Sequence, residues 1–204
     1  MSKLRAKRSR TWIAALGALL ILTGSFGCVV GQKIDLTYTP DTTFTPGQAQ
    51  PLTVAVADLR PHVKNREKSP AYLGRLRGGF GNPWDVTTEG DVPLDQLFRV
   101  GLMADLEAMG FKAHEPQGPK TVKVEILDYD VDGMINGAFR YEIKVRVLDG
   151  TGAQLFENTL KEDRAISGSF WTGAKGALQK NVPLIHAEVI RKITREKSFL
   201  EAIQ

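Results

Sequence analysis

Apolar residues recur along this chain in two clear periods. Between Pro93 and Met109 they fall at Leu94, Leu97, Phe98, Gly101, Leu102, Leu106 and Met109, the three/four spacing of one helix face. Pro93 suits a first turn and Gly110 a C-terminal cap, so a helix is predicted over 93–109. Gly101 within the stripe would let that helix lie close on a sheet. From Val122 the period changes to two. Val122, Val124 and Ile126 alternate, then Leu127, Tyr129 and Val131 alternate in the opposite phase, which predicts a bulge near Ile126-Leu127. The return strand carries Phe139, Tyr141, Ile143, Val145 and Val147 on one face and Arg140, Glu142, Lys144 and Arg146 on the other. After a turn at Asp149–Gly152, a less regular strand is predicted over 155–164. A second helix is predicted to start near Asn181, with Pro183 in its first turn and Val182, Ile185, Val189 and Ile193 as its stripe. Ser198 and Glu201 have the spacing of a capping box that opens a last short turn.

Upstream, Leu52–Leu59 is a compact apolar, β-branched run and predicts a strand. The alternating Ile34–Tyr38 predicts another, short one. Residues 60–92 are rich in Gly, Pro and charge. A structureless loop of that length is unusual in a compact domain. A hairpin is therefore predicted inside it, with Tyr72–Arg77 paired to Trp84–Thr88 through a turn at Gly78–Pro83. The order strand, helix, three strands, helix, plus the extra N-terminal strand and the inserted hairpin, predicts an α+β two-layer sandwich. Its mixed β-sheet would carry two main helices on one face.

Charge changes the picture mainly at the N-terminus. The chain has 27 Lys and Arg against 23 Asp and Glu, a net charge of +4. Lys3, Arg5, Lys7, Arg8 and Arg10 lie in the first 27 residues, which hold no acid; without them 22 basic residues face 23 acidic ones, a net charge of −1. The basicity belongs to the leader, and nucleic acid is not an expected partner. Basic residues, then the apolar Thr11–Leu22, then Gly24, Ser25 and Gly27 have the layout of a secretory signal peptide. That apolar core falls short of the roughly 20 residues a membrane-spanning helix needs. The uncharged stretch continues to Gln32, so a retained membrane anchor is the alternative. Either arrangement exports the remainder of the chain.

Cys28 is the only cysteine. One thiol excludes an intrachain disulfide framework and a cysteine-based zinc site. Other chemistry is thinly represented, and no cofactor or metal is expected. Asp128, Asp130, Asp132 and Gly133 copy positions of an EF-hand loop, but Phe139 stands where the bidentate Glu belongs and the flanks read as strands. Those aspartates are better explained as a solvent face opposite Arg140, Lys144 and Arg146. Gly168–Lys175 lacks the Gly-Lys-Ser/Thr ending of a phosphate loop. His62, His114 and His186 show no metal-ligand spacing, and no Ser sits in a Gly-x-Ser-x-Gly elbow. Arg75, Arg77, Phe80 and Trp84 mix cations with aromatics. They form either a hairpin closing over the core or a protein-binding surface.

Ser25-Phe26-Gly27-Cys28 resembles a bacterial lipoprotein box. The resemblance implies cleavage after Gly27 and acylation of Cys28, which would anchor the chain stably through two or more acyl chains. Val29, where inner-membrane lipoproteins carry Asp, implies sorting to the outer membrane. Residues 1–27 would then be the signal peptide, 28–51 a lipidated tether with the short strand, and 52–204 one domain. Behind this box come Asp58-Leu59-Arg60, Tyr72-Leu73-Gly74, Met109-Gly110-Phe111, Val122–Asp128, Phe139-Arg140-Tyr141 and Lys180-Asn181-Val182. In that order they resemble the YajG-like family of bacterial outer-membrane lipoproteins. The resemblance implies an exported, membrane-tethered α/β domain and supplies no catalytic residues. The expected function is non-enzymatic: binding an envelope protein at the periplasmic face of the outer membrane. The alternatives are an auxiliary subunit of an envelope transport or assembly machine that docks through residues 60–92, and a periplasmic hydrolase.

Overall fold

Alternation in the long strands is what builds the sheet of this protein. A computed structural model describes residues 31–40, 50–77, 83–113, 118–133, 136–167 and 173–204. The strands are Gln32–Ile34 (β1), Leu52–Asp58 (β2), Tyr72–Arg77 (β3), Pro83–Thr88 (β4), Lys120–Gly133 (β5), Asn136–Asp149 (β6) and Gln154–Ser167 (β7). The helices are Pro61–Lys64 (α1), Leu94–Ala108 (α2), Gly173–Thr194 (α3) and Lys197–Ile203 (α4), with a 3-10 turn at Glu89–Asp91. The fold is α+β, a mixed seven-stranded sheet with helices α2, α3 and α4 packed on one face.

β5 is the spine. Along one edge it pairs antiparallel with β6, from Lys120↔Asp149 to Asp132↔Ala138. Its other edge is shared. β2 lies parallel to the first half, from Leu52↔Lys120 to Asp58↔Ile126, and β3 lies parallel to the end, from Gly74↔Val131 to Leu76↔Gly133. β3 continues outward through antiparallel β4 to parallel β1, and β6 continues to antiparallel β7. The hairpin expected at 72–88 is therefore present, but it is part of the main sheet rather than an insertion beside it. The register of β5 against β6 slips between Ile126 and Asp128. Leu127 is the extra residue of the expected bulge, and it turns Tyr129 and Val131 onto the same buried face as Val122, Val124 and Ile126.

That face and the helices make the core. Phe139, Tyr141, Ile143, Val145 and Val147 of β6 are all buried, as their alternation predicts. Leu94, Phe98, Leu102 and Leu106 come down from α2, and Phe98 meets Tyr129 edge-on with centroids 5.5 Å apart. Gly101 permits a close approach, though not to the sheet: an added Cβ would lie 2.5 Å from Ile190 Cδ1 of α3 and 3.2 Å from Tyr38 Cβ.

Three expectations of extent or capping are corrected, and one helix is added. The second helix begins at Gly173, not near Asn181, and Pro183 lies inside it. The earlier turns are held by burial of Ala177 and Leu178, which outweighs the backbone bond that Pro183 cannot make. Asn181 Nδ2 donates to the Ala177 carbonyl at 2.8 Å there. Ser198 does not cap the last helix; the N-cap is Glu196 and it makes no side-chain cap bond. The N-terminal strand runs 32–34 rather than 34–38. It ends where the Asp35 carboxylate accepts the Thr37 N–H (2.8 Å) and hydroxyl (2.6 Å), a local turn that competes with the ladder. The helix Pro61–Lys64 was not foreseen in the long polar segment.

Candidate functional site: a charged cleft on the open sheet face

The face of the sheet away from the helices carries the charged halves of the alternating strands. Asp130 faces Arg140 across β5 and β6, and their side chains meet at 2.9 Å. Arg146 pairs with Glu125 and Lys161 with Glu142 on the same face. Of the aspartates in the EF-hand-like stretch, all strand residues, Asp130 alone is matched by a cation of β6; Asp132 bridges Arg77 of β3, and Asp128 stands opposite Glu142. Among the described residues no cluster of acids, histidines or cysteines is placed to hold a metal ion.

Where β3, β5 and α1 meet, this face hollows into a cleft of about 280 Å3. Its shape depends on Arg60, a fully buried guanidinium. Nη2 donates to Asp58 Oδ2 at 2.6 Å and Nε to Asp58 Oδ1 at 2.9 Å, while Nη1 reaches the carbonyls of Tyr72 (2.5 Å) and Tyr129 (3.2 Å). One side chain so ties the end of β2 to β3 and to β5. The planar fork of arginine suits this multiple role, and lysine could not reproduce it. Gly74 completes the joint. Its φ is 143°, and a Cβ at this position would collide with the Val131 carbonyl oxygen, so there is no room for a side chain.

The cleft wall is Tyr72, with two neighbours on its ring. His62 of α1 packs edge-on at 5.1 Å, and Lys68 Nζ stands 4.8 Å over the ring face. The nearby Tyr72 hydroxyl strengthens the Arg75 guanidinium's hold on its proton. Burial, and then the Asp130 charge, push the Tyr72 hydroxyl up. Burial lowers His62, helped by the Arg60 charge. Asp128 on the floor is raised, by burial first and by Asp130 second. His62 Nε2 is buried without a hydrogen-bond partner among the described residues. Lys68 also bridges to Asp85 at 2.7 Å, and Arg77 to Asp132 at 2.8 Å. The cleft therefore offers charges of both signs around one aromatic ring.

The residues singled out as a mixed cationic and aromatic surface are divided by the strand alternation. Arg75 and Arg77 are exposed on the open face, Arg75 lining the cleft and Arg77 beyond it. Trp84 stands opposite Leu76 in the β3–β4 register, and Leu76 packs on the core side, so Trp84 belongs to the other face. Phe80, Gly27, Cys28 and His114 lie outside the described residues, as do residues 168–172 of the phosphate-loop-like stretch. His186 is buried in the core. Its Nδ1 lies 3.2 Å from the Tyr129 hydroxyl, and burial pushes its pKa down to about 3. Tyr72 and Lys68 were missed as cleft residues because the chain gives no sign that 60–71 folds back over β3. Only the short spacing of Asp58 and Arg60 could have hinted at a clamp.

No family model matches this sequence, and no curated protein matches it. Solved structures do. The protein XCC0632 from Xanthomonas campestris, described by the family model DUF330, superposes with a TM-score of 0.52 at 12% identity, over 78% of this chain and 92% of that one. An uncharacterised protein gives a TM-score of 0.38 at 14% identity, over 79% of this chain and 99% of that one. A provisionally described lipoprotein from Caulobacter crescentus CB15 gives 0.38 at 18% identity, over 53% and 82%. The likeness to the Xanthomonas protein shows the fold: this chain is an α+β two-layer domain of the same architecture.

Proposed function

We propose that this chain is an exported bacterial lipoprotein. Acylated Cys28 tethers it to the periplasmic face of the outer membrane, and it acts by binding another envelope protein rather than by catalysis. The observation that carries the reading is the leader: five cations, an apolar core, and Ser25-Phe26-Gly27-Cys28 directly before the domain. The resemblance to YajG-like lipoproteins agrees with it. Among the described residues no helix is long and apolar enough to cross a membrane. The test is mass spectrometry of the N-terminus of the protein taken from membranes. A diacylglyceryl-modified Cys28 is expected; an unprocessed Met1 or Ser2 overturns the reading.

A second reading makes the protein an auxiliary subunit of an envelope transport or assembly machine. The charged cleft supports it, because α1, the segment to Tyr72 and β3 all come from residues 60–92. Crosslinking in intact membranes followed by pulldown separates the two readings. One stoichiometric transporter component, lost in Arg75→Glu and Tyr72→Ala, favours the subunit.

A further inference from the structure

Besides the outer side of β2, which pairs in the sheet with β5 alone, the sheet has two end strands of very different character. One is β1, three residues long. The other is β7, fourteen residues long and, among the described residues, paired as a strand with β6 alone. It contains no Pro and no Gly, and its register against β6 is regular from Phe156 to Ser167, with a single skip at Leu155. A long regular edge is a row of unpaired N–H and C=O groups, a template for another strand. Its helix-side residues are already engaged. Phe156 packs on Phe199, Asn158 donates to Glu196 at 2.8 Å, and Arg164 bridges Glu188 at 2.9 Å. Its open-face residues Glu157, Thr159, Lys161, Asp163 and Ala165 are all exposed.

We propose that β7 pairs antiparallel with β7 of a second copy of this chain, about a two-fold axis through Thr159. Among axes from Asn158 to Glu162, the one at Thr159 alone brings opposite charges together without facing like charges. A two-fold axis at Thr159 puts Glu157 opposite Lys161 twice, with Thr159 opposite itself between them. Opposite charges and Thr–Thr pairs both favour a cross-strand contact. An axis at Leu160 would set Glu157 against Asp163, one at Lys161 would set Lys161 against itself, and one at Glu162 would set Glu162 against itself. Each of these places like charges face to face. An isologous contact closes as a dimer, continues the sheet across the axis and leaves no long edge exposed. Helices stay on one face of the joined sheet in both copies, and the charged clefts share the opposite face.

This inference does not rest on the acylation of Cys28, and the two fail separately: an unprocessed N-terminus leaves the pairing untouched. The test uses the full chain in detergent micelles, with its mass followed by sedimentation from about 1 to about 100 μM, and a charge swap. The wild type is expected at twice the chain mass. Lys161→Glu turns both attractive pairs repulsive and is expected to weaken dimerisation about tenfold to a hundredfold. The double variant E157K/K161E restores the pairs in reverse and is expected to restore the dimer. Lys161 is 72% exposed, so unfolding curves of the variants serve as the control for an intact fold. Thr159→Cys should also crosslink to itself in membranes with a short bifunctional maleimide, where the wild type does not. A monomeric wild type throughout the range, as expected if the strand partner is a different protein, overturns the proposal. So does an unchanged mass for K161E, or a double variant as monomeric as the single one.

Discussion

Arg60 has no exposed surface, and its five donors are spent on one carboxylate and three backbone carbonyls. Removing it would leave Asp58, only 6% exposed, as an uncompensated buried charge. Arg60→Met is expected to lower the unfolding free energy by about 3–5 kcal/mol, read from urea denaturation. Gly74 fails differently. Its backbone sits where side chains are strained, and any Cβ would collide with the Val131 carbonyl. Gly74→Ala is expected to destabilise by more than about 1 kcal/mol, and hydrogen exchange should show the loss first in β3 and the end of β5. Asp58-Leu59-Arg60 and Tyr72-Leu73-Gly74 are two of the segments that carry the family resemblance. Both lie in this joint, so a structural reason for them is at hand.

At the scale of elements, α3 shows how burial overrides local preference. A helix-interior Pro costs about 3 kcal/mol, yet α3 runs 22 residues through Pro183 because Leu178, Val182, Ile185 and Val189 are buried on one side. Pro183→Ala is expected to raise stability by about 1–3 kcal/mol, measured as an upward shift of the denaturation midpoint with an unchanged slope. The last helix gives the converse case. A true capping serine would cost about 1 kcal/mol on removal, whereas Ser198 sits inside α4 without a cap bond. Ser198→Ala is therefore expected to change stability by less than about 0.5 kcal/mol. α2 and α3 are further held by buried Asp105, which accepts from the Tyr38 hydroxyl at 2.6 Å and the Thr194 hydroxyl at 2.5 Å. The segment before β2 is thereby pinned to both helices.

For the whole molecule, acid is the natural probe of the core. His186 is neutral when folded because burial holds its pKa down to about 3, against 6.5 in the unfolded chain. Its folded value is depressed, so the unfolded state binds the extra proton first as pH falls. Stability is complete above about pH 6.5 and declines from there toward about pH 3, by about 1.4 kcal/mol per pH unit at most. Half-buried His62 acts in the same direction. Glu162 and Glu188, joined to Arg164 and Lys192 where β7 meets α3, are held down to about 2 by these hydrogen bonds. Their contribution is present above pH 4.5 and is lost as pH falls through about 2. Unfolding free energy should therefore decline from about pH 6.5 and more steeply below 4.5, and His186→Leu should lessen the slope from pH 6.5 to about 3 while leaving the carboxylate part of the lower decline.

Hydrophobic periodicity alone determined the long strands, the Leu127 bulge and the helix over 94–108, because each buries one face and a slip in phase would expose it. The leader and the lipoprotein box are likewise properties of linear order. Only tertiary structure decided where residues 60–77 go. Their elements are short and polar, and β3 finds its place by lying parallel to a strand far along the chain, through a guanidinium buried among carbonyls. The cleft was illegible for the same reason. His62, Tyr72, Asp128 and Arg140 have no local pattern in common and meet because β2 ends halfway along β5. Trp84 parted from Arg75 and Arg77 once pairing fixed which face each occupies. Local periodicity reports which side of an element is apolar; it carries no information about which edges are shared, and shared edges made the site.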